Sequence, residues 1–391
     1  MKTIESDIVI AGAGPAGLAF ARSLAGSGLS VALIERQSLP GLAHPASDGR
    51  EIALTHHSVG ILRDLGAWEH IDPADIAPLR GARVLNGGSP FALSFDPEED
   101  GGELGQLVSN HHIRRALFRS VVEQPQLHFL AGTGVISVKA GRTGVTVMLS
   151  DGRRWRSRLL VAADSRFSAV RTALGIGAEI NRLGRSMMVC RVDHERDHAG
   201  LATEWFAHGQ TIAMLPLNGR TSSAVLTASA DEIGMLETLD RETLGREITR
   251  RYESRLGTMR VVDGPHVYPL ATTWARHFAA TRAALIGDAA VGMHPVTAHG
   301  FNLGLRGQKT LATLVRDAAG RGGDIASPWL LRRYEVAHRL ASRPLYAATN
   351  LLVRLYTDER SPARLARHMV LRAGNRLPLV RGGITQLLMQ D

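Results

Sequence analysis

The chain has 391 residues, 44% of them hydrophobic, and a formal net charge of +9; the length implies roughly two or three domains, and no run approaches the ~20 apolar residues a membrane-spanning helix needs. The single cysteine, Cys190, rules out an internal disulfide and, with an N-terminus that enters a strand at once rather than a signal peptide, fits a cytoplasmic protein. The arginines are scattered, with no basic run interleaved with aromatics, so no nucleic acid partner is expected; the positive charge points instead to phosphate-rich cofactors or an anionic membrane surface.

Residues 6–36 read as one βαβ unit. Ile8, Val9, Ile10 and Ala11 form a continuous apolar segment, as expected of a strand buried on both faces of a parallel sheet. Gly12, Gly14 and Gly17 follow as G-x-G-x-x-G: the first permits a sharp turn, the second lets backbone amides approach a pyrophosphate, and the third lets the next helix pack closely on the strand. That helix, starting at Pro15 and Ala16, directs free amides and roughly half a positive charge at such a dianion. The second strand, Val31 to Ile34, ends in Glu35, 18 residues after Gly17 and near the ~20-residue spacing at which a carboxylate reaches a ribose hydroxyl. Glu35 and the adjoining Arg36 are therefore candidate nucleotide contacts.

Arg50 precedes a helix expected from Thr55 to Leu65, where a cation reaches either a phosphate or solvent. An alternating pattern from Arg80 to Phe95 breaks at Gly87-Gly88 as a hairpin, and an acidic loop runs from Asp96 to Gly102. A helix from Asn110 to Val122 carries Ile113, Leu117 and Val121 on one face. Leu127 to Val161 reads as a meander closing in the apolar strand Leu159 to Ala163, capped by Asp164. Strands over Arg185–Val192, Thr203–Phe206, Thr211–Leu215 and Ser223–Thr227, then a charged helix from Asp231 to Leu256, have the character of a second domain inserted into the first. His194-Glu195-Arg196-Asp197-His198 spells H-E-x-x-H, but its polar flanks make it a connector rather than a helical zinc site, and no metal is expected.

Arg282–Ile286 returns to a buried strand pattern ending in Gly287-Asp288, and helices follow over Phe301–Ala319, Trp329–Leu355 and Pro362–Leu388. The expected architecture is α/β. Residues 1–79, 96–180 and 262–340 form a Rossmann-like dinucleotide domain, 80–95 and 181–261 an inserted mixed β-sheet domain for substrate, and 341–391 a helical region. Leu351–Asp391 holds seven arginines against three acids, a basic amphipathic pattern suited to a membrane or a partner complex, or to an apolar side on the core with a solvated face.

Three motifs in this order carry a family resemblance: Gly12–Gly17 with Glu35, Ala163-Asp164-Ser165-Arg166-Phe167-Ser168-Ala169-Val170-Arg171, and Gly287-Asp288 through Asn302-Leu303-Gly304-Leu305. Over essentially its whole length the chain resembles the single-component FAD-dependent aromatic hydroxylases, and within them the ubiquinone-biosynthesis hydroxylases. The resemblance implies that Glu35 holds the adenosine ribose, Arg50 and Arg114 approach the ribityl and phosphate region, and Asp288 bonds a ribityl hydroxyl. It places the amides of Gly300, Phe301 and Asn302 at the flavin's pyrimidine edge and Pro295 where oxygen reacts. Asp164 and Arg171 would serve both FAD and the nicotinamide cofactor. The chain departs from the family pattern at Ser165, usually glycine, at Val291, usually histidine, and at Thr297-Ala298-His299, usually Ala-Gly-Gln. His299 thereby stands beside the proposed flavin edge, with a local hydrogen-bonding role or as a tolerated substitution.

The implied reaction uses FAD, NAD(P)H and O2: a flavin C4a-hydroperoxide hydroxylates the ring of a hydrophobic prenylated phenol or quinol, including the 5-hydroxylation of demethoxyubiquinol among the options. Met214, Leu215 and Phe206 are expected either to line the substrate pocket or to pack in the core. A prenyl reductase, a halogenase or a non-catalytic FAD-binding member of a quinone-synthesis complex are the competing readings. Peripheral attachment to the inner face of the membrane goes with the basic C-terminus.

Overall fold

In the computed structural model, which describes residues 3–87, 92–95, 102–207, 209–294 and 299–357, β1 (Thr3–Ala11), α1 (Pro15–Ser23) and β2 (Val31–Glu35) form the βαβ unit that the glycine pattern predicts. β1 is the centre of an eight-stranded sheet. It pairs in parallel with β2 on one side and with Arg154–Ala162 on the other, and the parallel set extends to Leu127–Ala131 and Ala283–Leu285. Both faces of β1 are covered, so it reads as an unbroken apolar run: Ile8, Val9 and Ile10 are fully buried, each contributing roughly 1.5–3 kcal/mol of apolar burial.

The meander expected over 127–161 is real only in its later part. Val135–Ala140, Val145–Leu149 and Arg154–Ala162 pair antiparallel in sequence, whereas Leu127–Ala131 runs parallel to β2 at the sheet edge. Both kinds of strand show short apolar runs, and sequence pattern alone does not separate them.

The second sheet has eight strands in the order Val291–Gly292, Met259–Ala275, Ala178–His194, Thr221–Ser229, Gln210–Pro216, Leu201–Ala207, Gly81–Asn86 and Leu93–Phe95. The hairpin read from residues 80–95 joins this sheet by parallel pairing of Gly81–Asn86 with Leu201–Ala207. The boundary expected between residues 261 and 262 falls inside the strand Met259–Ala275, which pairs with Ala178–His194 from His194↔Met259 to Ala178↔Ala275. Gly264, Pro265 and Pro269 interrupt the alternation that would have marked this strand in the sequence. A small antiparallel sheet of Glu51–Leu54, Gly105–Ser109 and Ile76–Leu79 sits between the two large ones.

The charged helix expected over 231–256 is two helices, Ala230–Glu237 and Arg241–Arg251, each started by a side-chain cap: Ser229 accepts from Glu232 N and Asp240 from Thr243 N. They cover one face of the second sheet. Met188, Cys190, Val192, Trp205, Ile212, Met214 and Leu226 point into that layer with Ile233, Leu244 and Ile248. Cys190 is thus a core residue, its thiol pushed up to about 12 by burial.

Gly300–Gly320 packs along α1, where Arg316 bonds the Ser23 and Ala25 carbonyls at 2.9 and 2.7 Å. Pro328–Thr357 is a single helix through the boundary expected at residue 341, and Tyr334 within it donates to the Leu285 carbonyl at 2.6 Å. The helix expected over 362–388, the acidic residues 96–101 and the Gly88 half of the hairpin turn lie outside the described residues.

Two buried histidines tie folding to pH. Burial lowers His338 to about 4, with the charge of Arg306 adding to it; burial and the charges of Arg185 and Arg166 lower His294 to about 4. Both stay neutral in the folded chain while the unfolded chain takes up protons near pH 6.5, so stability is complete above that pH and falls as pH drops from about 6.5 toward about 4. Urea midpoints measured between pH 7.5 and 4.5 should decline through this window, by up to ~1.4 kcal/mol per histidine per pH unit; a flat profile contradicts the neutral burial of these two rings.

Candidate active site

The parallel strands of the first sheet end together, and what they carry past their carboxyl ends builds the site. β1 ends at Ala11 opposite Ile34 and Ala162, while Ala162 stands opposite Leu285. Within one to three residues of these ends come Gly12, Glu35, Asp164 and Gly287-Asp288, so four separate segments share one edge, the usual ligand crevice of such sheets.

At its centre is the glycine turn. Gly12 has φ +110°, and a Cβ there would lie 2.4 Å from the Ala163 carbonyl oxygen; one on Gly17 would lie 2.0 Å from the Gly12 oxygen. Gly14 differs, since nothing lies within 4 Å of where its Cβ would be. Protein packing explains the absence of a side chain at the first two positions and leaves the third facing open space, as a ligand approaching the backbone requires. α1 begins here with Pro15 at its first position, and no side chain caps it, so its N-terminal amides are directed outward.

Glu35 closes the turn from β2: one carboxylate oxygen accepts from Ala13 N at 2.7 Å, the other from Gln37 N at 2.9 Å. Arg36 is exposed and lies over Gly134, and Arg114 donates to the Gln37 side chain at 3.0 Å. Arg114 therefore stands at the Glu35 end of the crevice.

Asp164 accepts from Val170 N at 3.3 Å with one oxygen, while its other oxygen is buried with no hydrogen-bond partner among the described residues. An orphaned carboxylate oxygen beside a glycine turn is the donor-seeking group that a bound hydroxyl or amide would satisfy. Two arginines of the same segment secure it. Arg171 is buried and donates to the Ala289 carbonyl at 2.9 Å and the Arg166 carbonyl at 3.0 Å, and Arg166 pairs with Asp288 at 3.0 Å while bonding the Ala271 carbonyl at 2.9 Å. Arg166 was not singled out from sequence. Its place two residues after Asp164 was the available signal, visible only once the Asp288 segment is known to lie alongside.

Arg50 is the centre of a further network. It bonds the Asp48 carboxylate at 2.7 Å and lies over the Tyr268 ring at 5.4 Å; Tyr268 donates to the Asp48 carbonyl at 2.6 Å and Asn110 to the Asp48 carboxylate at 2.7 Å. Burial opposes charge on Asp48, yet the bonds from Arg50 and Asn110 hold its carboxyl below the usual range. Asp48 and Tyr268 were also missed, because their partners are remote in sequence.

The helix Gly300–Gly320 starts beside Met293, with His299 at its N-cap and no acid in its first turn. Asn302 fixes this start by donating to the Ala53 carbonyl at 2.9 Å and accepting from Thr55 N at 3.4 Å, which leaves the backbone amides of Gly300 and Phe301 as the helix's outward positive end. Pro295, Thr297 and Ala298 lie outside the described residues. The H-E-x-x-H histidines are held in the strand connector: His194 bridges the Arg196 carbonyl and Ser222, and His198 contacts the Leu217 carbonyl at 2.9 Å. The edge thus offers two uncapped helix starts, a carboxylate at each end and cations between them, a chemistry that fits a long dinucleotide.

Comparison with known proteins agrees with that geometry. The family described as FAD binding domain matches residues 5–347. Ubiquinone hydroxylase UbiM of Neisseria meningitidis is 46% identical over 391 residues, covering 99% of this chain and 85% of that protein, and ubiquinone hydroxylase UbiL of Rhodospirillum rubrum is 35% identical over 96% of this chain and 88% of that one. The crystal structure of p-nitrophenol 4-monooxygenase PnpA from Pseudomonas putida superposes with a TM-score of 0.77 at 19% identity over 100% of this chain and 99% of that one, a likeness of fold. Replacing Glu35 by Ala should weaken FAD binding by about tenfold or more, the value of a hydrogen bond to a charged group, read by flavin fluorescence on titration; unchanged affinity would remove Glu35 from the site. The chain belongs to the FAD-binding-domain family, among the ubiquinone-biosynthesis flavin hydroxylases.

Proposed function

We propose that this chain, an FAD-dependent monooxygenase, hydroxylates the aromatic ring of a prenylated phenol or quinol in ubiquinone biosynthesis, with NAD(P)H as electron donor and O2 as oxygen source. The observation that supports it most directly is that the dinucleotide edge and a separate β-sheet face are locked to each other. Arg166 joins Asp288 to the Ala271 carbonyl, and Arg191 of the second sheet bonds the buried Glu51 at 2.7 Å.

In this reading the turn from Gly12 to Gly17, with Pro15 at the helix start, surrounds a pyrophosphate through the free N–H groups of Gly14, Ala16 and Gly17, the Gly12 N–H being bonded to the Ile34 carbonyl at 2.8 Å, and Glu35, with Arg36 and Arg114 nearby, takes the adenosine ribose. Arg50 lies toward the phosphate and ribityl chain, Asp288 bonds a ribityl hydroxyl, and the orphaned Asp164 oxygen accepts from the cofactor or from NAD(P)H. The helix start at Gly300, Phe301 and Asn302 stabilises negative charge on the ring, with His299 at its N-cap. When bound, FAD supplies the redox chemistry, taking electrons from NAD(P)H and activating O2 for transfer of one oxygen atom to the ring. The polypeptide's own part is to hold the substrate ring and exclude water. The hydroxylase names of the relatives do not favour a reductase, a halogenase or a non-catalytic assembly member.

Contact with a membrane surface is the second element of the proposal. None of the described helices is long and apolar enough to cross a bilayer. The helix Pro328–Thr357 instead exposes Trp329, Val336, Leu340 and Leu351 on the same side as Arg332, Arg333 and Arg343, and Glu335, its described acid, is turned into the core. Apolar residues flanked by arginines are suited to an anionic lipid surface, where a prenylated substrate resides.

With 2-geranylphenol, NAD(P)H and 18O2, the purified protein should release a ring-hydroxylated product carrying one 18O atom; reduction of the prenyl chain without O2 uptake would overturn the hydroxylase reading. The protein should float with vesicles containing phosphatidylglycerol, and Leu340→Glu should reduce the bound fraction about fivefold or more, since a charge replaces buried apolar area at the interface; equal flotation contradicts the lipid-facing assignment.

A further inference from the structure

A cavity of about 420 Å³ lies between the later turns of the helix Pro328–Thr357 and the ends of the strands Ala178–His194 and Met259–Ala275. Its size is that of a small-molecule site, and no residue of the dinucleotide edge lines it. Its floor is aromatic: the rings of Trp274 and Tyr346 are 4.9 Å apart, and the Tyr346 hydroxyl donates to Thr272 Oγ1 at 3.3 Å. Glu179 stands on one side of this floor, directly opposite Trp274 in the antiparallel strand pair and therefore on the same face. Arg343 stands on the other side, one helical turn before Tyr346 and Ala347. The two rings thus separate a carboxylate from a guanidinium.

The charges around the cavity differ in how far the protein satisfies them. Arg339 is fully engaged: it donates to the Ala275 and Arg276 carbonyls at 3.3 and 2.8 Å, lies 3.8 Å from Glu335 and covers the Trp274 ring at 5.3 Å. Arg343, and Asn350 two turns further along the same side of the helix, make no hydrogen bond or ion pair with any described residue. Among the described residues Glu179 accepts from Asn181 at 3.1 Å and pairs with no cation, Arg343 included. A free cation and a free anion on opposite sides of an apolar floor are complementary to a small zwitterion whose charges are a few bonds apart; a simple anion would meet Glu179. The mouth of the cavity adds the second half of the ligand. Ala347 and Leu351 line it, are exposed, and continue Leu340 at helical spacings of seven and eleven residues, so the cavity opens onto the apolar stripe assigned above to the lipid surface. A zwitterion inside and an apolar exit describe an amphiphile.

Resting on the membrane-contact reading given above, we propose that this cavity seats the headgroup of a phospholipid carrying a primary ammonium. The phosphate lies on Arg343 and Asn350, the ethanolamine carbons cross the rings of Tyr346 and Trp274, the ammonium donates to Glu179, and the acyl chains leave along Ala347, Leu351 and Leu340. A choline headgroup fits less well, because its methylated nitrogen has no N–H to give the carboxylate. The seat also has a place in the fold. Trp274 pairs with Val291 and Thr273 with Gly292, so a lipid held here fixes the segment that follows Asp288 close to the surface from which a hydrophobic ring arrives.

The test is flotation of the full chain with two vesicle types of equal charge, both containing phosphatidylglycerol, one completed with phosphatidylcholine and the other with phosphatidylethanolamine. Wild-type protein should bind the ethanolamine vesicles about threefold or more tightly, the scale of one exposed ion pair. Glu179→Gln should bring that ratio to about one without weakening binding to the choline vesicles, the opposite of what loss of a merely structural contact would do. Arg343→Gln should weaken binding to both by about fivefold, one surface charge, and also bring the ratio to about one. Both side chains are exposed, so the variants should keep the wild-type melting temperature. In the absence of vesicles, tryptophan fluorescence should report binding of dihexanoyl-phosphatidylethanolamine at least tenfold tighter than that of O-phosphoethanolamine, which lacks the chains. Equal binding of the two vesicle types by wild type, or a preference that survives in both variants, overturns the headgroup seat and leaves membrane contact standing. O-phosphoethanolamine bound as tightly as the lipid overturns the lipid assignment in favour of a soluble zwitterion. Failure of wild-type protein to float with either vesicle overturns the membrane-contact reading as well.

Discussion

The structure depends on one close backbone approach. β1 and the strand Arg154–Ala162 end side by side, and Gly12 turns into the space against Ala163 and Asp164, where a side chain would lie 2.4 Å from a carbonyl oxygen. Gly17 brings α1 equally close to that turn. These contacts set where the amides of α1 point, where Glu35 can reach an amide of the turn, and where the buried Asp164 carboxylate oxygen lies. A larger residue at either glycine would displace all three together, which is why this constraint precedes any property of an individual site residue.

The second constraint is electrostatic and connects the layers. Arg166 joins Asp288 to the long strand Met259–Ala275, Arg171 ties the same segment to Ala289, and Arg191 with the buried Glu51 joins the second sheet to the small one. Each arginine spans elements more than a hundred residues apart, and the partly buried settings make loss of one partner more damaging than an exposed ion pair would be. The resulting frame holds a polar cofactor edge against an apolar sheet wall, the arrangement that a reaction between a charged dinucleotide and a hydrophobic ring requires.

How much of this was readable in the sequence follows from the range of the interactions. The βαβ unit was, because Gly12, Gly14, Gly17 and Glu35 act within one local unit of fixed spacing. Asp164 and Asp288 could be placed at the sheet edge because each follows an apolar strand run, and Asn302 at a helix start, while their roles toward a cofactor came from the family resemblance. Asp48, Tyr268 and Arg166 were not, since what makes them part of the site is a partner brought near by sheet order. The strand Met259–Ala275 was hidden by its glycine and prolines.

The central claim is that the glycine turn near the start of the chain and the helix beginning at Gly300 close on a single FAD. Amide hydrogen exchange with and without one equivalent of FAD tests it directly. The account predicts that amides of residues 14–18 and 300–304 gain protection together, with the same dependence on FAD concentration. Protection of only one of the two segments, or of the two at different concentrations, would contradict it.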